Sequence, residues 1–248
     1  MFRQDDTDMN AAAATARSPL WRRLAAEFLG TGLLVAIVVG SGIAASRLSP
    51  DDIGLQLLEN SLTTALGLTV LILVLGSVSG AHFNPVVTLA DWWLGRRAGA
   101  TRLVEPAGYV TAQILGGIGG AVLANLMFET ATTVSTTQRV TGGHLLGEVV
   151  ATAGLVLVIF ALVRSGSGGF VAPAVGAYIG AAYWFTSSTS FANPAVTIGR
   201  VFSDTFAGIA PAAVLPFIGM QLSGGLLGVL LVGLFFPTAR PAAASRPD

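Results

Sequence analysis

The chain has 248 residues, of which only 10% are charged and 53% are hydrophobic, with 13 basic and 13 acidic side chains and no cysteine. So few charges, against roughly 25% in soluble domains, cannot dress a water-exposed surface. The zero net charge offers no basic face to nucleic acid. The lack of cysteine excludes disulfides, thiolate metal sites, cysteine nucleophiles and lipid-modified cysteine. What remains is an integral membrane protein that crosses the bilayer several times.

Residues 1–20 are polar and alanine-rich and read as a disordered tail. A bilayer-spanning helix needs ~20 mostly apolar residues. Such helices are expected near 22–46, 54–79, 104–128, 146–164, 169–187 and 211–236. The runs are continuous, unlike the ~10-residue alternating strands of outer-membrane barrels. The first contains Glu27, is too long for a cleavable signal and lacks a convincing cleavage site, so it is expected to stay as a span. Residues 237–248, rich in proline and alanine, read as a second disordered tail.

Two stretches break this pattern. Ser79-Gly80-Ala81-His82-Phe83-Asn84-Pro85-Val86 and Ser190-Phe191-Ala192-Asn193-Pro194-Ala195 each interrupt an apolar run with polar and helix-breaking residues. Asn is a favoured N-cap and Pro a favoured first helical residue. Short helices are therefore expected over about 84–94 and 194–203. Ten residues rise only ~15 Å, half a bilayer. Irregular backbone at that depth is tolerated only inside protein or along a water-filled cavity, so two half-helices imply a lined cavity.

The chain repeats itself. Glu27-Phe28-Leu29-Gly30 opens the first span and Glu148-Val149-Val150-Ala151 the fourth; Asn84-Pro85-Val86-Val87-Thr88 recurs as Asn193-Pro194-Ala195-Val196-Thr197; Gln113-Ile114-Leu115-Gly116-Gly117 recurs as Gln221-Leu222-Ser223-Gly224-Gly225. The copies cover about 22–128 and 146–236 within a channel-forming domain of 21–236. Each holds three spans and a half-helix, so the second enters from the opposite side, an inverted repeat with its site near the midplane. Arg3, Arg17, Arg22, Arg23, Arg96, Arg97, Arg102, Arg164, Arg240 and Arg246 then share one side, against Arg47, Arg139 and Arg200 on the other. Cytoplasmic loops attract Arg, which places both termini in the cytoplasm and the chain in the inner (plasma) membrane.

Through these motifs, residues 22–236 resemble the major intrinsic protein family of aquaporins and aquaglyceroporins. The resemblance implies an all-α fold of six transmembrane helices and two half-helices around one pore per subunit, a homotetramer in the bilayer, no cofactor or metal, and no enzymatic activity. Asn84-Pro85-Val86 and Asn193-Pro194-Ala195 would form the pore centre, with Val86 in place of the commoner Ala. Each Asn can use its carbonyl oxygen locally and offer amide N–H to a solute oxygen. The half-helix N-termini add partial positive charge, disfavouring cations and protons. Intramembrane Glu27 and Glu148 are costly and need buried partners; the family implies that they brace the half-helix loops, in preference to a proton relay. His82 reads as loop-bracing rather than metal-binding, and His144 as interfacial.

In the family the outer constriction has four positions, counted from the two Asn. They fall on Thr64, Ala181, Ser190 and Val196, with no gap required. Water-selective members carry an aromatic, a His and an Arg there, and glycerol facilitators two aromatics, a Gly and the Arg. This chain lacks the Arg and any bulky ring at these positions, so a wider opening is expected. Arg200, one turn beyond Val196, is either a displaced positive guard at the outer mouth or an ordinary partner of Asp204 or of solvent. Such a filter resembles a bacterial subgroup associated with arsenic resistance. The implied function is passive passage of small neutral solutes: glycerol-like polyols, neutral trivalent or methylated arsenic hydroxides, and water. The alternatives are a water-selective aquaporin and an ion-coupled secondary transporter.

Overall fold

The computed structural model describes residues 18–95 and 103–237. Arg3, Arg17, Arg96, Arg97, Arg102, Arg240 and Arg246, and nearly all of both expected tails, lie outside the described residues. Every regular element among the described residues is helical: α1 (Leu20–Leu48), α2 (Ile53–Ser79), α3 (Pro85–Gly95), α4 (Val104–Met127), α5 (Gly142–Arg164), α6 (Val171–Phe185), α7 (Pro194–Gly199) and α8 (Pro211–Phe235). One-turn 3-10 helices at Gly168–Phe170 and Arg200–Phe202 precede α6 and follow α7.

Local chemistry sets the ends. The Asp52 carboxylate accepts the Leu55 N–H at 2.9 Å and starts α2, and Gly80 at φ 91° stops it in a left-handed turn. Thr141 caps α5 through the N–H of His144, and Pro211 opens α8 from the first turn. Helices α1, α2, α4, α5 and α8 are each long and apolar enough to cross a membrane. The fifth expected span is shorter: α6 has 15 residues, because the backbone turns extended at Thr186 and feeds the second interrupted stretch. The second half-helix is also shorter than 194–203, being α7 plus its 3-10 turn.

Polarity runs inside out. Glu27, Glu148, Gln113 and Gln221 have no exposed surface, whereas Leu62, Leu66, Val70 and Leu73 of α2 are exposed. That is the economical arrangement when the solvent is hydrocarbon, where apolar surface costs nothing and unsatisfied polar groups cost several kcal/mol.

Lipid supplies no hydrophobic drive between helices, so association depends on close packing at small residues. A Cβ added at Gly116 would lie 2.2 Å from the Phe28 carbonyl oxygen, and one at Gly120 would lie 2.0 Å from that of Gly32. The second repeat copies this: Gly224 against the Val149 carbonyl at 2.5 Å and Gly228 against that of Ala153 at 2.7 Å. Thus α1 and α4, and equally α5 and α8, meet backbone to backbone.

Candidate functional site

The interrupted stretches are held in costly conformations. Ala81 and Phe83 ahead of Asn84, and Ser190 and Ala192 ahead of Asn193, all have φ between 48° and 51°. Non-glycine residues held there cost about 1–3 kcal/mol each and persist only where the surroundings over-determine them.

Two buried carboxylates do that. Glu27 accepts the backbone N–H of His82 at 3.0 Å and of Phe83 at 2.7 Å, the Ser79 hydroxyl at 2.6 Å and the Gln113 amide at 2.7 Å. Glu148 accepts the N–H of Phe191 at 3.0 Å and of Ala192 at 2.9 Å and the Gln221 amide at 2.6 Å. Gln113 and Gln221 donate onward to Thr88 and Thr197, both at 2.9 Å. His82 adds Nδ1 at 3.2 Å from the Thr88 hydroxyl, while Nε2 lies 3.9 Å from Asp91. His144, half-buried at the start of α5, has Nδ1 2.6 Å from the Arg139 carbonyl oxygen.

The half-helices are joined tip to tip. Asn84 accepts the Val86 N–H at 2.9 Å and donates to the Ala192 carbonyl at 2.8 Å; Asn193 accepts the N–H of Ala195 at 3.0 Å and donates to the Phe83 carbonyl at 2.8 Å. Each primary amide has two N–H groups, so one locks the opposite half-helix and the other remains for the cavity. That cavity has a volume of about 420 Å³ and is lined by both Asn but by no other triplet residue. Pro85, Val86, Pro194 and Ala195 are buried behind the two Asn at the same level and do not themselves line the cavity. Val86 packs on α8, where a Cβ at Gly225 would lie 2.3 Å from Val86 Cγ1.

At one end the cavity is bordered by Asp91, Leu94, Val163 and Arg164, the last donating to the Phe236 carbonyl at the C-terminus of α8 at 2.6 Å. At the other end stand Thr64, Ser190, Val196 and Arg200. Ala181 is not among them: it is exposed on the outer face of α6. The cavity face of that helix is Val171, Val175, Ile179 and Tyr183, a strict four-residue stripe. Ala181 lies two residues, about 200° of helical turn, off that stripe. Tyr183 takes the place, its hydroxyl 3.2 Å from that of Thr64. That end therefore does contain a bulky ring, which counting back from Asn193 missed. The Ser190 hydroxyl is buried there without a protein partner.

Arg200 is only 3% exposed. Its Nε donates to the Ala207 carbonyl and its guanidinium carbon sits 3.5 Å from the centroid of the Phe191 ring. No ion pair joins it to Asp204, whose carboxylate accepts the Thr136 N–H at 2.9 Å and the Thr136 and Ser135 hydroxyls. Those bonds, the backbone one first, hold the Asp204 carboxyl below its ordinary pKa. Arg139, in the loop before α5, donates to the carbonyls of Gly208 at 2.7 Å and Phe206 at 2.9 Å. Burial holds its guanidinium below the usual arginine pKa.

Residues 14–190 match the family model described as "MIP: Major intrinsic protein". The chain belongs to the major intrinsic protein family. Its relatives include Aquaglyceroporin AqpS of Rhizobium meliloti (strain 1021), 47% identical over 90% of this chain and 93% of that one. Another is Aquaporin Z of Photorhabdus laumondii, 33% identical over 84% and 97%. The Glycerol uptake facilitator protein of Pseudomonas aeruginosa is 30% identical over 97% and 98%. Among solved structures, the aquaglyceroporin from Plasmodium falciparum superposes with a TM-score of 0.63 over 88% of this chain and 96% of that chain at 22% identity, a likeness of fold. Membership makes the chain a multi-pass membrane protein of a channel family, not an enzyme.

Proposed function

We propose that this protein is a passive channel for small neutral solutes larger than water. It takes short polyols and neutral trihydroxy metalloids such as trivalent arsenic, with methylated arsenic hydroxides and water as further cargo. The observation that carries the reading is Val196, an apolar side chain at the outer end of the cavity where the family commonly has an arginine. A neutral solute with several hydroxyls finds partners along the wall: the spare amide N–H of Asn84 and Asn193, and the Thr64–Tyr183 pair. Val171, Val175 and Ile179 face the carbon or methyl side. The opposed half-helix N-termini, roughly half a positive charge each, oppose cations at the centre. In this reading Arg200 repeats that barrier at the outer mouth. The aquaglyceroporin relative at 47% identity favours the same solute class.

A water-selective channel is the second reading, favoured by one observation: the Tyr183 ring, bonded to Thr64, narrows the end that the sequence left open. Stopped-flow swelling of proteoliposomes with water, glycerol and trivalent arsenic separates the two. The native protein is expected to pass all three, and Val196→Arg to keep water flux while losing most of the flux of the larger solutes. Glycerol flux unchanged by Val196→Arg would overturn this reading of the filter; native vesicles that pass water alone would establish the second. We further propose a homotetramer with both termini cytoplasmic, on the strength of the family and the arginine distribution.

A further inference from the structure

Arg139 does not line the cavity. Its surroundings are nonetheless built around Arg200. Three consecutive carbonyls are shared between the two side chains: those of Phe206 and Gly208 accept from Arg139, and the one between them, on Ala207, accepts from Arg200. One ring is shared as well, with the guanidinium carbon of Arg200 3.5 Å and that of Arg139 5.3 Å from the Phe191 centroid. Carbonyl dipoles and a ring quadrupole hold each of these two like charges.

The loop that carries Arg139 is stitched to the same segment. Ser135 N–H donates to the Val201 carbonyl at 2.8 Å and Ala210 N–H to the Thr137 carbonyl at 2.8 Å, while Asp204 is held by Thr136. Residues 200–210 are thus clamped by that loop, and the Ala207 carbonyl lies between the two that Arg139 binds.

We propose that Arg139 is a positioning residue that keeps Arg200 flat against the cavity wall. The outer end then stays both cationic and open. Without the fork, the Phe206 and Gly208 carbonyls lose their partner and the Ala207 carbonyl is free to turn. Arg200 loses that anchor, and its long side chain enters the lumen and obstructs the larger solutes. Lysine is a poor substitute, because a single ammonium cannot reproduce a planar fork on two acceptors. The inference rests on the reading of Arg200 as a cationic wall.

The test compares native protein, Arg139→Gln, Arg139→Lys, Arg200→Ala and the double variant Arg139→Gln/Arg200→Ala in proteoliposomes, reading water flux, glycerol flux and cation leak. Arg139→Gln is expected to lower glycerol flux several-fold with a smaller change in water flux, Arg139→Lys to do so in part, and the double variant to regain the glycerol flux of Arg200→Ala. A purely structural role would lower both fluxes together without rescue by Arg200→Ala, and that outcome, or an unchanged glycerol-to-water ratio in both Arg139 variants, overturns the proposal. If Arg139→Gln does not insert, Arg139→Lys carries the same readings. A tight Arg200→Ala vesicle with no added cation leak sinks the guard reading of Arg200 by itself, whereas rescue in the double variant would still support positioning by Arg139.

Discussion

Tyr183 and the two buried glutamates show how single side chains set this pathway. The Tyr183 hydroxyl 3.2 Å from that of Thr64 forms a bar at the end of the cavity that also holds Ser190 and Val196. Tyr183→Phe removes the bond and keeps the ring, whereas Tyr183→Ala removes both. Glycerol swelling is expected to change little in the first and to rise in the second; no rise in Tyr183→Ala would place the narrowest point elsewhere. Glu148→Ala would strand three donors, on Phe191, Ala192 and Gln221. An unmet buried donor costs about 1–3 kcal/mol, and the left-handed Ser190 and Ala192 lose what holds them. A lower unfolding temperature in detergent, with solute flux falling further than protein yield, is the expected result. Glu27 and Glu148 were legible in the sequence as a repeated pair, whereas their loop partners were implied by the family resemblance and not by the repeat. Tyr183 was not, because a fixed count back from Asn193 carries no information about how the loop after α6 runs.

At the scale of elements, each half-helix is wedged by the second glycine of a Gly-Gly pair, yet the two wedges differ in kind. A Cβ at Gly117 would meet the backbone carbonyl oxygen of Ala195 at 2.7 Å, whereas one at Gly225 would meet the Val86 side chain at 2.3 Å. Overpacking of this sort costs about 1–3 kcal/mol. Gly225→Ala is therefore expected to be rescued by Val86→Ala, while Gly117→Ala has no side chain that can give way. Thermal stability and glycerol flux of the two single variants and the double variant decide this; failure of Val86→Ala to rescue would contradict the packing described. The half-helices themselves could be read from Asn-Pro, since capping chemistry is local. Their lengths could not: α7 gives way to a 3-10 turn at 200–202 after six residues, ahead of the 206–208 carbonyls that bind Arg139 and Arg200.

For the molecule as a whole, the described arginines gather at two ends. Arg47 donates to the Phe128 carbonyl, and Arg139 and Arg200 lie against 206–208, at one end; Arg23 pairs with Glu105, and Arg164 binds the end of α8, at the other. The first end is expected to be extracellular, in keeping with arginine enrichment in cytoplasmic loops. A chain with no cysteine lends itself to a direct check. Thr133→Cys and Ser165→Cys both replace exposed residues, on opposite ends. A membrane-impermeant thiol reagent added to intact cells should label the first and reach the second only after permeabilisation; the reverse pattern would invert the topology.

By itself the sequence determined the membrane class, the inverted repeat and the facing half-helices, because apolar run length, capping residues and a recurring motif can be read along the chain; the role of each Glu toward its loop came from the family resemblance. Only the tertiary structure decided which side chains face the solute. Whether α6 presents Ala181 or Tyr183 depends on how the whole helix is rotated against its neighbours. Whether Arg200 pairs with Asp204 or lies on Phe191 depends on a loop that brings Arg139 in from more than sixty residues away in the chain. Rotation and long-range clamping are set by packing across the bundle, and no local spacing encodes them.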